Sequence, residues 1–456
     1  MSGPTTLPCF KAYDIRGRIP TELNRELVVT IARAYAAWLK PKSVAVGYDI
    51  RLSSPDFAAA VREGLTDSGV DVIDIGRCGT EEVYFATFHL KLDGGVMVTA
   101  SHNPADYNGL KLVREEGRPI SADTGLLDIQ ALTHAREFAP AARKGAVKRV
   151  DIQPDFVERL LASVDVPSLA ALKVVVNAGN GGAGSVIDAL EPHLPFRFVK
   201  VHHEPDGRFP NGIPNPLLTE RRDDTARAVV AAEASAGIAW DGDFDRCFFF
   251  DEKGRFIEGY YIVGLLASQV LKKSKGAKIV HDPRLTWNTI EVVREMGGIP
   301  VQSKSGHAFM KEVMRREDAA YGGEMSAHHF FRDFAYCDSG MIPWLLVLEI
   351  MSHTGKALSE LVAAHVRRFP TSGEINRKVA DASAVIEKIR ARYGPSALLI
   401  DETDGVGMEF PQWRFNLRMS NTEPLVRLNV ESRGDASLVK EKTDELLAEI
   451  GGEARG

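Results

Sequence analysis

The sequence predicts an α/β protein made of three similar α/β units followed by a smaller α+β unit. Short apolar runs alternate with stretches of helical period, which is the pattern of layered α/β domains. A weak internal repeat runs through residues 1–367, and the residues beyond 367 break it. The length of 456 residues allows roughly three domains, and 44% hydrophobic with 26% charged residues supplies several cores.

Taken in order, the strand-like run 44–46 leads into Asp49-Ile50-Arg51-Leu52-Ser53, and the run 96–98 delivers the loop Thr99-Ala100-Ser101-His102-Asn103-Pro104. The run 174–176 ends at Asn177, and 237–240 delivers Asp241-Gly242-Asp243-Phe244-Asp245-Arg246. The run 278–280 leads into Asp282-Pro283-Arg284-Leu285-Thr286, and 319–321 delivers Gly323-Glu324-Met325-Ser326-Ala327-His328-His329. The pattern D-x-R-L-[ST] thus occurs twice. Each unit reads as a strand, a helix and a second strand with a polar loop at its C-terminal end, where open α/β sheets place ligands. Past the third unit, 413–417, the loop 419–424, the alternating strand 426–430 and the helix 436–450 read as α+β. Turn-rich or small-residue stretches at 139–150, 251–254 and 368–373 set boundaries near 147, 252 and 367. The expected units are therefore 1–147, 148–252, 253–367 and 368–456.

Charge excludes some partners. Lys plus Arg number 56 against 62 Asp plus Glu, a net −6 without blocks of one sign, so no nucleic-acid or membrane partner is expected. Cys9, Cys78, Cys247 and Cys337 lack metal or disulfide spacing, which fits a reducing compartment. No leader pattern opens the chain, and the apolar stretch 260–271 is too short to span a bilayer. A soluble, cytoplasmic protein is expected.

The loops carry the chemistry. Ser101 beside His102 sets a hydroxyl next to an imidazole at a strand end, although serine needs a base or metal to become a nucleophile and the same residues make an ordinary turn. Asp241, Asp243 and Asp245, at i, i+2 and i+4, can converge on one hard cation, and oxygen ligands favour Mg²⁺ or Mn²⁺. An EF-hand fits less well, because position 6 is Arg246 rather than glycine. Glu324, Ser326 and His328 with His329 suit a polyhydroxylated ligand or a plain structural loop equally, while a metal site here would duplicate the aspartates. Arg418 with Ser420, Asn421, Thr422 and, beyond them, Arg427 gathers the donors that phosphate binding needs, although a plain turn before a strand accounts for these residues equally well. The stretch 179–184 matches G-x-G-x-x-G with Glu204 downstream, but it lies mid-chain and its helix meets Pro192 early, so it reads better as a turn than as a dinucleotide site.

Together TASHNP, DGDFDR, GEMSAHHFF and SNTEP, in that order over nearly the whole chain, resemble the α-D-phosphohexomutase family, most of all its bacterial phosphomannomutases. FKAYDIRG, DYNGLKL and SGHAFMK are similar to family segments too. The resemblance implies mixed sheets, a central cleft faced by all four domains, and interconversion of hexose 6- and 1-phosphates through a hexose 1,6-bisphosphate that also serves as activator. It implies mannose phosphates as substrates and a place in GDP-mannose synthesis, with dual glucose/mannose specificity as the alternative. It implies that Ser101 is the phosphoserine and, with Asp241, Asp243 and Asp245, holds Mg²⁺. Arg246 becomes a neighbouring cation, and Arg16, Lys111 and His307 handle protons and charge. Arg284, Glu324, Ser326 and His328 bind the sugar phosphate, while Arg418, Ser420, Asn421, Thr422 and Arg427 hold the non-reacting phosphate. Ala327 stands where many members have glycine, which puts the path of its loop in question. The expected assembly is a monomer or dimer. A metal-dependent nucleotide-sugar transferase would leave Ser101 unexplained, and a non-catalytic phosphosugar sensor would leave it unphosphorylated.

Overall fold

A computed structural model of the chain describes residues 7–419 and 425–455. The first sheet runs Ile15–Arg18, Tyr107–Arg114, Gly94–Val98, Ser43–Tyr48, Asp71–Arg77, Val147–Arg149. The second runs Phe256–Ile257, Cys247–Phe250, Ala236–Trp240, Lys173–Asn177, Arg197–Val201, and the third Ile299–Gln302, Lys278–His281, Tyr321–Gly323, His329–Phe331, Cys337–Asp338. In each, three neighbouring strands are parallel and the next is antiparallel. The sheets are therefore mixed and share one topology, which is the physical content of the sequence repeat.

Each unit is richer than the sequence pattern indicates. A further parallel strand, Asp71–Arg77, Arg197–Val201 or Ile299–Gln302, lies between the two expected ones in chain order. In the second and third units it is a sheet edge, so polar side chains such as Arg197 and Lys200 face outward and Pro300 is tolerated. An edge strand lacks the continuous apolar run of a buried parallel strand, and it was missed for that reason. The strand expected at 319–321 begins instead at Tyr321, because Ala319 and Ala320 bond to Met314 and Lys278 and complete the turn out of the helix His307–Glu317. Strands Val147–Arg149 and Phe256–Ile257 carry the first two sheets a few residues past the cuts at 147 and 252.

The last sheet runs Leu399–Asp401, Val406–Glu409, Trp413–Met419, Leu425–Ser432, Thr371–Lys378, Glu453–Arg455, all antiparallel. Val426, Leu428 and Val430 alternate into a core with Ile389 and Leu446 of its two helices. The helix Ala436–Ile450 has the expected bounds, and the Asp435 side chain caps it by accepting from the Leu438 N–H at 2.9 Å. Between units, the helix Ile342–Thr354 is buried on nearly all sides, and Glu81 of the first unit accepts from the N–H groups of Gly340 and Met341 at its start. The stretch 260–271 lies inside the buried helix Gly259–Lys273, and no helix among the described residues is long and apolar enough to cross a membrane.

Candidate active site

The loops that join each unit's third parallel strand to its antiparallel neighbour meet one another. Ser101 lies just past Gly94–Val98 and takes φ +48°, a left-handed turn that lifts its side chain out of the strand path. Its Oγ lies 3.0 Å from both Asp241 Oδ2 and His102 Nδ1. Arg51, from D-x-R-L-S, holds this loop from behind. It donates to the carbonyls of Ser101 (2.8 Å), Asn103 (2.6 Å), Pro104 (2.7 Å) and Tyr107 (3.0 Å). Asp49 orients Arg51 and accepts from Thr99 Oγ1 at 2.7 Å. Arg16 reaches the same loop at Asn103 Oδ1, 2.8 Å, while paired to Asp14.

The aspartate loop is shaped by Phe244, which takes φ +45° and turns its ring into the protein. That ring packs so closely on Gly79 and Gly182 that a Cβ at either would approach it within 2.1 and 2.8 Å. With Phe244 anchored, the residues on either side, Asp241, Asp243 and Asp245, supply carboxylate oxygens that lie within 4.8 Å of one another. Here the G-x-G-x-x-G match finds its role: the Gly182 N–H donates to the Gly242 carbonyl at 3.2 Å, and these glycines back the aspartate loop. Lys111 donates to Asp243 Oδ2 (2.7 Å) and Asp245 Oδ2 (2.5 Å), and Arg246 donates twice to Asp241 Oδ2 (2.8 and 2.7 Å). Against −3 these cations supply +2. Burial pushes the Asp241 carboxyl up to about 6 against the pull of Arg246. The Oδ1 atom of each aspartate is buried without a hydrogen-bond partner among the described residues. Three orphaned carboxylate oxygens in one buried cluster fit a hard divalent cation.

The third loop joins this one through a backbone bridge between Arg246 and His328. His328 Nδ1 lies 3.1 Å from Glu324 Oε2 and Nε2 lies 3.6 Å from Asp245 Oδ1. Burial opposes charge on this imidazole, and the two carboxylates overcome it, pushing it up to about 9. His328 thus links the aspartate and sugar loops, beyond the sugar contact the resemblance implies. Burial likewise opposes the Glu324 carboxylate, yet His328 and Arg284 hold it down at about 2. Glu324 Oε1 also accepts from the Gly306 N–H at 2.6 Å, next to His307. Burial, with Lys311 and Lys111, keeps the His307 imidazole well below its usual range. Arg284 repeats the geometry of Arg51: its N–H bonds the aspartate two residues before it at 2.9 Å in both cases. Its guanidinium reaches Asp282 (2.6 Å) and Ser326 Oγ (3.1 Å).

Ala327 takes φ +71°, the left-handed region that a glycine would occupy freely. Alanine there costs about 1–2 kcal/mol, while glycine would lose a buried methyl worth about 0.8 kcal/mol and some unfolded-state entropy. We therefore expect Ala327→Gly to leave the melting temperature nearly unchanged. Ala327→Val, β-branched at positive φ, should cost about 2–3 kcal/mol in denaturant unfolding. Equal stability of the two variants would show that the loop relaxes away from this φ.

The fourth unit brings Arg418 and Arg427, directly opposite each other on paired strands. Both contact Glu374, at 3.2 and 3.3 Å, and Arg284 Nη1 lies 3.5 Å from the same carboxylate. Ser420, Asn421 and Thr422 lie outside the described residues. Arg51 and Glu374 were not anticipated. The repeat that singled out Arg284 marks Arg51 as well, whereas nothing local marks Glu374.

Models of the phosphoglucomutase/phosphomannomutase family match in sequence: alpha/beta/alpha domain I over residues 8–140, domain II over 154–254, domain III over 258–369 and the C-terminal domain over 374–449. The chain belongs to this family. It is an enzyme, an isomerase of the phosphohexomutase kind. A phosphomannomutase of Salmonella montevideo is 60% identical over 97% of this chain and 98% of its own. A Xanthomonas campestris protein named for phosphohexose mutases is 62% identical, with the same coverage. Among solved structures, a phosphoglucomutase/phosphomannomutase family protein of Burkholderia thailandensis superposes with a TM-score of 0.88 at 32% identity, covering 98% of the mutase described here and 99% of its own chain.

Proposed function

We propose that this phosphohexomutase interconverts mannose 6-phosphate and mannose 1-phosphate through a phosphoserine at Ser101, and that its product feeds GDP-mannose synthesis. The observation that carries the reading is the Ser101 hydroxyl 3.0 Å from Asp241 in a cluster of buried cations and orphaned carboxylate oxygens. The mannose assignment follows the names of the relatives.

In the first transfer the P–O bond to Ser101 Oγ breaks as a bond forms to the 1-hydroxyl oxygen of mannose 6-phosphate, and the hydroxyl proton leaves. His307, whose Nδ1 is buried without a hydrogen-bond partner among the described residues, is our candidate to receive it. The resulting 1,6-bisphosphate turns end for end and returns its 6-phosphoryl group to Ser101, which gives mannose 1-phosphate and restores the enzyme. Such transfer asks mainly for alignment and charge compensation. The three aspartates and a phosphoserine near −2 carry about −5 in all; Lys111 and Arg246 reduce this to −3. Asp241, Asp243, Asp245 and Ser101 form an oxygen set suited to Mg²⁺, which when bound offsets charge on the transferring group. Glu324 and Ser326 grip sugar hydroxyls, and Arg418, with Arg284 and Arg427 near it, grips the non-reacting phosphate. A hexose 1,6-bisphosphate acts as activator by phosphorylating Ser101.

Glucose and mannose differ only at the 2-hydroxyl, and the intermediate must bind in two opposed orientations. A pocket tight around that hydroxyl would have to accept it from both directions. We expect mannose to be preferred by a margin worth about 1–3 kcal/mol. Comparison of kcat/KM for mannose 1-phosphate and glucose 1-phosphate, with activator and Mg²⁺ present, tests this. A ratio above about 10⁴ would mean that a residue reads the 2-hydroxyl directly. No turnover of either sugar would overturn the mutase reading.

A further inference from the structure

Glu374 puts a carboxylate where the proposed function calls for a phosphate. It lies near the start of the C-terminal unit, in the strand Thr371–Lys378, whose register against Leu425–Ser432 slips between Thr371 and Glu374. Gly373 takes φ +67° within this bulge. The bulge is pinned twice: Asn429 Nδ2 donates to the Gly373 carbonyl at 3.1 Å and the Val430 N–H donates to Ser372 Oγ at 2.9 Å. Bulges re-aim side chains. This one aims Glu374 at Arg418 and Arg427 of its own unit and Arg284 of the third. Like charges opposite one another on paired strands destabilise a sheet, and Glu374 between Arg418 and Arg427 offsets that repulsion, with Asp404 Oδ2 4.0 Å from Arg418 as well. Burial would raise the Glu374 carboxyl, and the three guanidiniums instead hold it down at about 2.

We propose that Glu374 is a built-in substitute anion, occupying the arginines of the phosphate site until the non-reacting phosphate of the substrate exchanges with it. This rests on the mutase reading above. A phosphate dianion brings more charge and more oxygens to three guanidiniums than a carboxylate does, so it can take the site. It does so at reduced affinity, because Glu374 has to be displaced and then repels it. A mutase benefits from that reduction: the bisphosphate must leave these arginines between its two transfers in order to turn round, and the carboxylate reclaims them as it lifts off. Glu374 is thus a positioning residue that exchanges binding strength for release.

The test is the affinity of inorganic phosphate for full-length, dephosphorylated protein, measured by calorimetry. Removing the carboxylate's unit charge beside the phosphate in Glu374→Gln is expected to tighten phosphate binding by about tenfold or more. The same variant should lower both KM and kcat for hexose phosphate. The gain in phosphate affinity should vanish when Arg418→Ala is added. Unchanged or weaker phosphate binding in Glu374→Gln would overturn the inference, since it would mean the carboxylate serves to orient the arginines. If that variant does not fold, Glu374→Asp decides. A shorter reach loosens the hold on the guanidiniums and should tighten phosphate binding, whereas an orienting role predicts weaker binding. A wild-type chain that turns over hexose phosphates, with a Glu374→Gln variant that binds phosphate no better, overturns this inference alone. Tighter binding in the variant with no turnover in the wild type overturns the proposed function alone.

Discussion

Ser101→Ala is expected to abolish acceptance of a phosphoryl group from hexose 1,6-bisphosphate and to reduce mutase turnover by about 10⁴–10⁶-fold, the scale at which loss of a catalytic nucleophile is felt. Two other hydroxyls near it are committed elsewhere: Thr99 bonds Asp49 and Thr80 bonds Asp243. The fold should survive. Asp241 Oδ2 keeps both hydrogen bonds from Arg246, so the lost contact costs no more than about 1 kcal/mol, and alanine meets the same backbone strain as serine at φ +48°. Intact mass after incubation with the bisphosphate reads the phosphoryl group directly. A mass gain in the alanine variant equal to that of wild type would remove Ser101 from the mechanism.

The second large effect is expected at the aspartates. Asp243→Asn removes one of three anionic oxygens from the cation site, and the several kcal/mol that a divalent ion contributes to phosphoryl transfer correspond to about 10²–10³ in turnover. Relief of repulsion among three carboxylates is only part of the consequence for the fold, because Lys111 leans on both Asp243 and Asp245. In the variant Lys111 keeps Asp245, and the balance of two carboxylates against Lys111 and Arg246 becomes neutral. Stability without metal should therefore change little. Added Mg²⁺ should raise the melting temperature of wild type through linkage and that of Asp243→Asn much less. Full activity in chelator-treated wild type would end the metal assignment.

Much of this site was legible in the sequence because its chemistry is local. DGDFDR places alternate carboxylates around one buried aromatic anchor, and that spacing alone brings Asp241, Asp243 and Asp245 together. TASHNP puts Ser101 at a strand end by the same local logic. The C-terminal helix was readable to the residue. Ala327 was singled out as a departure, and it nevertheless takes the positive φ that a glycine would adopt freely.

The residues that went unread act at long range. Arg51 holds four carbonyls between Ser101 and Tyr107, and only the second copy of its motif hints that it matters. The edge strands Arg197–Val201 and Ile299–Gln302 carry no strong pattern because half of each faces outward or sits at a rim. Glu374 has no signature at all: its neighbours Thr371, Ser372 and Gly373 read as an ordinary turn.

The α/β class, the threefold repeat and the short-range clusters of candidate ligands were all set locally, since strand period, turn chemistry and clustered charge act over a few residues. Tertiary structure alone decided which groups face one another across units: Ser101 with Asp241, His328 between Asp245 and Glu324, and Glu374 among Arg284, Arg418 and Arg427. Those meetings depend on how the four sheets are docked, and the energies that dock them, burial and charge pairing between residues far apart in the chain, leave no periodic trace in the order of the amino acids.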